Sequence, residues 1–181
     1  GYSFSVVVAG FRSEPGRCDL ALVVSDTPAS AAAVFTLNRF CAAPVQVGRE
    51  MLKKRPQARA IMINSGQANA STGAKGRENC LETMRLAGEA LKLDPEDILP
   101  ASTGVIGAHI KMDAWAQAAP KLAAALGEHS AEDFAKAIMT TDAFPKFSSR
   151  EVKLSSGVIR IAGMCKGAGM ICPNMATMLC A

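Results

Sequence analysis

The chain has 181 residues, of which 49% are hydrophobic and 20% charged, and its formal net charge is +4. This length and composition are typical of one globular domain with a substantial core. The charge is mild and aromatic residues do not interleave with the basic ones, so we expect no nucleic-acid partner. The uncharged stretches 98–110 and 167–181 are too short, and too rich in Pro and Gly, to cross a membrane.

Cysteine and histidine usage argues against a disulfide framework and a metal site. The six cysteines are scattered without a CxxC pair, and we expect them to be small buried hydrophobes in a reducing compartment. His109 and His129 have no partner at metal-ligand spacing, so no metal is expected. The first residues carry no basic segment of a signal peptide, which indicates a trimmed N-terminus and a cytoplasmic protein.

In chain order, short apolar runs separated by turns predict strands in the first third of the chain. They occupy residues 5–9 (SVVVA), 20–25 (LALVVS), 33–36 (AVFT) and 60–63 (AIMI). A basic run follows Arg49 and is expected to be a solvated face or a loop; it comprises Lys53, Lys54, Arg55 and Arg59.

Helical periodicity dominates the middle of the chain. Apolar residues spaced by one, three and four predict a helix over residues 76–93. Asp94 followed by Pro95 predicts a short capped turn after it. Asp113 is expected to cap a further helix, which Pro120 should kink or break.

Two elements complete the predicted order. Residues 130–133 (SAED) resemble a capping box before a helix at 134–139. Residues 152–161 alternate and predict a strand pair that turns at 155–157 (SSG). This order indicates an α+β fold, a layered sandwich of helices and a mixed or antiparallel sheet. No GxGxxG follows a strand, so a dinucleotide-binding fold has no support.

Four polar segments containing Gly or Thr stand out from the Ala-rich background. They are 64–69 (NSGQAN), 102–107 (STGVIG), 139–142 (MTTD) and 166–170 (KGAGM), the last running into PNMATML. Taken singly, each is most simply a turn or a cap. Lys166 differs, because residues 161–181 contain no carboxylate to pair with it, so its charge needs a partner from elsewhere or a ligand.

Thr177 has a second kind of interest. A threonine hydroxyl is a poor nucleophile unless the residue begins a chain, where its own α-amine accepts the proton. That amine titrates near pH ~8, so an appreciable fraction is free base at neutral pH. Cleavage of the bond between Ala176 and Thr177 would create it, and composition and spacing alone do not show that this happens.

Together and in this order, the segments resemble the ornithine acetyltransferase family, the glutamate N-acetyltransferase/ornithine acetyltransferases of arginine biosynthesis. The resembling stretches span most of the chain, and the last is highly specific. They are 16–26 (GRCDLALVVSD), 58–73 (containing NSGQANASTG), 101–107 (ASTGVIG), 137–146 (AIMTTDAFPK) and 163–179 (GMCKGAGMICPNMATML).

The resemblance implies a precursor that cuts itself between Ala176 and Thr177. Residues 1–176 would then be an α chain, a single domain or part of one, and 177–181 would begin the β chain. The fold would be of the self-processing, N-terminal-nucleophile type, completed by the β chain from the same precursor. Paired αβ units, (αβ)2 or higher, are also implied.

The implied chemistry is an acyltransferase reaction. Thr177 would take an acetyl group from N-acetylornithine and pass it to glutamate through an acetyl-threonine ester. Thr103 and Gly104 match the family's oxyanion-hole pair, and Thr140 and Lys166 match substrate-binding positions, together with Thr177. No bound cofactor is expected, and acetyl-CoA stays open as a co-substrate.

Two other readings stay open. One is a self-cleaving aminopeptidase or amidase of related architecture, in which water takes the acyl group. The other is a non-catalytic half that only completes its partner chain.

Overall fold

The chain is described by a computed structural model over residues 1–168 and 178–181. Over these residues it forms a four-stranded sheet and a three-stranded sheet with helices packed on them. This α+β architecture is the predicted one.

The four-stranded sheet has the order β1-β2-β3-β4. Its strands are β1 (Tyr2–Val7), β2 (Leu20–Ser30), β3 (Gln57–Gln67) and β4 (Ile98–Val105). The first two pairings are antiparallel, whereas β3 and β4 run parallel. A parallel pair needs a long crossover, which here contains a helix.

Three helices cover one face of this sheet. They are α1 (Ala43–Lys54), α2 (Gly73–Leu91) and α3 (Met112–Ala124), and a 3-10 turn, Pro95–Asp97, follows α2. The core between them contains fully buried side chains such as Leu22, Met62 and Trp115.

The opposite face is partly covered by α4 (Ala131–Ala137) and by one end of the second sheet. That sheet has the order β5-β6-β7, with β5 (Lys146–Leu154), β6 (Gly157–Lys166) and β7 (Leu179–Cys180). Phe134 and Met164 belong there to the same buried cluster as Ile63, whereas most of β5 and β6 is exposed. The four-stranded sheet is therefore only partly covered on this face.

Most of the predicted elements are present. Predicted strands at 5–9, 20–25 and 60–63 overlap β1, β2 and β3, and the 76–93 helix overlaps α2. The capping box is confirmed, because the Ser130 hydroxyl accepts from the Asp133 N–H at 3.1 Å. The hairpin is also present, with both strands longer than predicted.

One predicted strand is absent because tertiary packing decides it. The strand expected at 33–36 is wrong: the segment has no strand assignment, and Val34 is 83% exposed. The basic run was expected to be a solvated face or a loop, and the first alternative is confirmed: Arg49, Lys53 and Lys54 lie on the exposed side of α1, opposite the buried face that includes Val47.

Helix α3 also departs from prediction. Lys111, not Asp113, is its N-cap, and Asp113 lies in its first turn. Pro120 lies inside an unbroken helix. A proline there costs about 3 kcal/mol or more, and burial of Trp115 and Leu122 on the same helix offsets it.

The cysteines are less buried than expected. Cys80 is buried, as predicted, but Cys18, Cys41 and Cys165 are only half-buried and Cys180 is exposed. Cys172 lies outside the described residues.

Across the two described ranges, no helix is both long and apolar enough to cross a bilayer.

The core around α4 supplies a stability test. Phe134 is fully buried, so Phe134→Ala should lower the free energy of unfolding of the full-length protein by about 3–5 kcal/mol. Phe144→Ala is the matched control; it is 62% exposed and contacts the Lys146 ammonium, so its cost should stay below about 1 kcal/mol. Denaturant titration measures both, and equal losses would contradict the assigned core.

Candidate functional site

Three of the predicted site residues meet in one place. Lys166 ends β6 and is 3% exposed. Its ammonium donates to the hydroxyl of Thr103 at 3.1 Å and to that of Thr140 at 2.7 Å. These residues come from three separate segments, so the fold assembles a site that the linear sequence only suggests.

Lys166 carries a charge that the described residues do not neutralise directly. Among them, no carboxylate oxygen lies within the 4.0 Å of an ion pair from its Nζ. Burial lowers the pKa of this ammonium, as do the charges of Lys146 and Arg12, while the charge of Asp142 works in the opposite direction. An ammonium has three N–H donors, so one is left for a ligand once the two hydroxyls are satisfied.

Asp142 holds the loop before Lys166 in place. Its side chain is fully buried and accepts from Lys146 Nζ at 2.7 Å, from Gly167 N at 2.7 Å and from Thr140 N at 3.1 Å. Burial opposes ionisation, but these hydrogen bonds outweigh it and lower the pKa of the Asp142 carboxyl to about 2. The sequence alone gives Asp142 no role, although it ends the polar segment 139–142 (MTTD).

Gly104 occupies a position that admits no side chain. Its φ is +127°, and a Cβ there would lie 2.3 Å from the carbonyl carbon of Gly66, its partner in the parallel β3–β4 pairing. Thr103 beside it is buried, whereas Gly104 itself is exposed. The peptide group between Thr103 and Gly104 is therefore next to the site residue Thr103 and accessible to a ligand.

Arg12 supports the peptide just before Thr140. Its guanidinium donates to the Met139 carbonyl at 2.5 Å. The loop that carries Arg12 is fixed by Asp19, whose carboxylate accepts from the N–H groups of Phe11 at 2.6 Å and Arg12 at 3.0 Å. Sequence reasoning missed this contact, since residues 12 and 139 are far apart along the chain.

The NSGQAN segment has a structural role. The Asn64 amide donates to the Gln67 carbonyl at 2.8 Å and accepts from the Ser102 hydroxyl at 2.6 Å. The Ser65 hydroxyl donates to the Ala137 carbonyl at 2.7 Å. Because these side chains are buried and satisfied, the segment joins β3 to β4 and α4 and offers no free reactive group.

Thr177 and Ala176 lie outside the described residues. On the far side of them the chain is described again, and Leu179 pairs with Lys166 across β6 and β7. The residues that follow Thr177 therefore return to the strand that carries Lys166.

Within the described ranges, no cluster of three His, Cys, Asp or Glu side chains could hold a metal ion. An apolar cavity of about 710 Å³ lies beside the site, between the segment 31–42 and the strands β3 and β4. Its lining includes Ser102, which precedes Thr103, and Leu179, which pairs with Lys166 across β6 and β7. Lys166 and Thr140 themselves do not line it.

Comparison with known protein families identifies the chain. The model of the ArgJ family matches residues 3–181. The chain belongs to the ArgJ family. It is 62% identical over 179 residues to the arginine biosynthesis bifunctional protein ArgJ of Nitratidesulfovibrio vulgaris, covering 99% of this chain and 45% of that protein. The ArgJ of Thermosynechococcus vestitus is 49% identical, with 99% and 42% covered. The chain thus spans less than half the length of these relatives.

Solved ArgJ-family structures share the fold. The crystal structure of ArgJ from Bacillus halodurans has a TM-score of 0.89 and 32% identity, covering 99% of this chain and 91% of that one. Ornithine acetyltransferase from Mycobacterium tuberculosis, complexed with ornithine, has a TM-score of 0.86 and 32% identity, covering 99% and 93%. The resemblance inferred from the motifs is confirmed.

The buried Asp142 makes a pH-dependent stability prediction. Its folded pKa of about 2 lies below the ordinary 3.8, so its contribution is present above pH 3.8 and is lost as the pH falls towards 2. Asp142→Asn should therefore destabilise the full-length protein by ~2 kcal/mol at neutral pH, and this difference should shrink below pH ~4.

Thermal unfolding of wild type and variant, from pH 7 down to the lowest pH at which both still fold, measures the difference in stability. Asp113→Asn is the matched control, since that carboxylate is exposed on α3 and should change stability by less than about 0.5 kcal/mol. A difference between wild type and Asp142→Asn that stays constant across the pH range would contradict the assigned role.

Proposed function

We propose that the protein containing this chain transfers an acetyl group from N-acetylornithine to glutamate in arginine biosynthesis, as a cytoplasmic enzyme. The observation that carries the proposal is the buried Lys166 ammonium, which holds the hydroxyls of Thr103 and Thr140 and has a donor left for a ligand. Both substrates carry an α-carboxylate, the group that such an ammonium would bind. The match to an ornithine acetyltransferase complexed with ornithine supports this choice.

Chain lengths support a mature enzyme made of two chains. This chain covers 91% and 93% of the two solved chains, but only 45% and 42% of the two curated relatives. The solved chains are therefore close to this one in length, while the curated proteins are more than twice as long. A cut of the precursor between Ala176 and Thr177 would account for both observations.

The cut would activate Thr177. Its new α-amine would accept the hydroxyl proton while the oxygen attacks the acetyl carbonyl of N-acetylornithine. Collapse of the tetrahedral intermediate would break the amide bond and release ornithine with a proton on its amine. The α-amine of glutamate would then attack the acetyl-threonine ester, giving N-acetylglutamate and restoring the Thr177 hydroxyl.

The described residues suit stabilisation of the intermediate. The Thr103 hydroxyl accepts a hydrogen bond from Lys166, so its own proton is free to donate to an oxyanion. The open Gly104 peptide would supply the second donor. One such donor typically contributes about 3–4 kcal/mol to lowering the barrier.

Exposed apolar residues support a partner that covers this chain. Val34, Leu37 and Phe40 are 83%, 91% and 75% exposed in the segment beside the 710 Å³ cavity. Such a patch indicates an interaction surface. We assign it to the β chain of the same precursor, in an (αβ)2 or higher assembly.

Acetyl-CoA is included in the proposal as a second acetyl donor, which the description of the relatives as bifunctional supports.

The nucleophile is tested by Thr177→Ala in the full-length precursor. We expect loss of both cleavage and acetyl transfer. Alanine lacks the hydroxyl, and without cleavage the new α-amine is not formed. Thr177→Ser is the matched control and should keep both, since serine supplies the same groups. Intact-mass measurement and a glutamate-dependent transfer assay report the outcomes. An alanine variant that is still cut after residue 176 would contradict the assignment of Thr177 as the nucleophile.

The same assay separates transfer from hydrolysis. Release of more than one equivalent of ornithine per enzyme that requires glutamate and yields N-acetylglutamate supports the proposal. Release of acetate to water without any glutamate product would favour the amidase reading. Transfer by residues 1–181 alone would overturn the requirement for a β chain.

Lys166 is tested by Lys166→Met, which keeps the aliphatic stem and removes the ammonium. We expect KM for N-acetylornithine to rise by about tenfold or more, since a hydrogen bond to a charged group contributes about 1.5–3 kcal/mol. Lys153→Met, on the exposed side of β5, is the control and should leave KM unchanged. Equal KM values for wild type and Lys166→Met would remove Lys166 from the substrate site.

A further inference from the structure

Cys165 and Cys180 face each other across two strands. The antiparallel register of β6 and β7 pairs these residues directly. The neighbouring pair, Met164 and Ala181, exchanges both backbone hydrogen bonds at 2.9 Å. Since hydrogen-bonded and non-hydrogen-bonded pairs alternate in an antiparallel ladder, the cysteines occupy a non-hydrogen-bonded position, where opposing Cα atoms come within about 4.5 Å.

This position fits a disulfide. Bridged cysteines have Cα separations of about 4.4–6.8 Å, and the cross-strand position lies within that range. The Cys165 thiol lies close enough to help raise the pKa of the Cys180 thiol. Strand β7 has two residues and one strand neighbour in the described sheet, so it can make the small shift that closes the bond.

Both thiols are within reach of a small reagent. Cys165 is half-buried and Cys180 is exposed, and both line a shallow depression on the outer side of β6, next to Phe144 and Lys146. Lys166 and Met164, their neighbours on β6, are buried on the opposite side of the strand. A bond between the thiols would leave the Lys166 contacts in place.

We propose that Cys165 and Cys180 are a modification site, forming a reversible cross-strand disulfide by exchange with a small-molecule disulfide. Each cysteine gives up its thiol hydrogen, one S–S bond forms between them, and the small disulfide is reduced to two thiols. Intracellular disulfides are usually transient, which suits a pair that a thiol pool would reduce again.

The bond would have a particular consequence for the proposed enzyme, and this part rests on the proposed function. Cys165 precedes Thr177 and Cys180 follows it. If the precursor is cut before Thr177, the disulfide joins the α chain covalently to the first residues of the β chain. It would then hold the Lys166 strand next to the strand that follows the nucleophile.

The test uses the purified full-length protein, reduced, desalted and treated with oxidised glutathione, then alkylated. Burial and the neighbouring Cys165 thiol raise the pKa of the Cys180 thiol, so mildly alkaline solution favours the exchange. We expect a cross-linked peptide containing Cys165 and Cys180, lighter by two hydrogens than the reduced pair. In non-reducing electrophoresis most of the α and β bands should merge into one band that a reductant splits.

Variants make the assignment specific. Cys165→Ser and Cys180→Ser should each abolish the cross-linked peptide, while Cys41→Ser, a half-buried cysteine distant in sequence, should keep it. A bridge to Cys172, or stable glutathione adducts without a Cys165–Cys180 bond, would overturn the proposal.

Thr177→Ala separates this proposal from the proposed function. That variant should run as one band with or without reductant and should still yield the cross-linked peptide. A wild-type protein that stays uncut but gives the peptide overturns the self-cleavage and keeps the disulfide. A wild-type protein that is cut but gives no peptide overturns the disulfide alone.

Discussion

The arrangement around the site depends on one buried ammonium group. Removing the charge of Lys166 from water is unfavourable, and two hydroxyls compensate only in part. Asp142 balances the charge at longer range and ties the loop that carries Thr140 to the end of β6. The hydrogen bonds to Asp142 keep its carboxyl ionised. The Asp142 carboxylate and the Lys166 ammonium therefore lie in the same region without forming a direct ion pair. The carboxylate of the proposed substrates would balance the remaining positive charge.

The rest of the fold holds this group in place. Helices pack against one face of the four-stranded sheet, and the Gly66–Gly104 contact fixes the point where Thr103 presents its hydroxyl. Helix α4 and β6 pack on the other face through Phe134 and Met164, which positions the strand that ends at Lys166. The NSGQAN network connects the two sides. A substitution that leaves a cavity in the core around Phe134 and Met164 would therefore shift β6 and with it Lys166, and would also reduce stability.

Sequence reasoning succeeded where the information is local. Capping chemistry at Ser130 and the helical periodicity of α2 depend on neighbouring residues, so they could be read directly. It failed where packing decides: residues 33–36 have strand-like composition but no strand assignment in the described part of the chain, and Ser102, Thr103 and Gly104 are turn-like but lie in the parallel strand β4. In the site, the resemblance to the family pointed to Thr103, Thr140 and Lys166, and of these only Lys166 stood out from its local sequence. The roles of Asp142 and Arg12 depend on contacts between segments distant in sequence, which no local pattern contains.

The pairing of Leu179 with Lys166 bears on how a cut precursor could remain a working site. A cut before Thr177 would free a chain end two residues before β7, which pairs with β6 and continues into the backbone pair between Met164 and Ala181. Leu179 and Ala181 also pack against the core that contains Met164. The two-residue ladder adds little to this packing, because each backbone hydrogen bond contributes only about 1 kcal/mol net. In the proposed enzyme the body of the β chain would add further attachment, for which the exposed segment 31–42 offers an apolar surface, and the proposed Cys165–Cys180 bond would add to it under oxidising conditions.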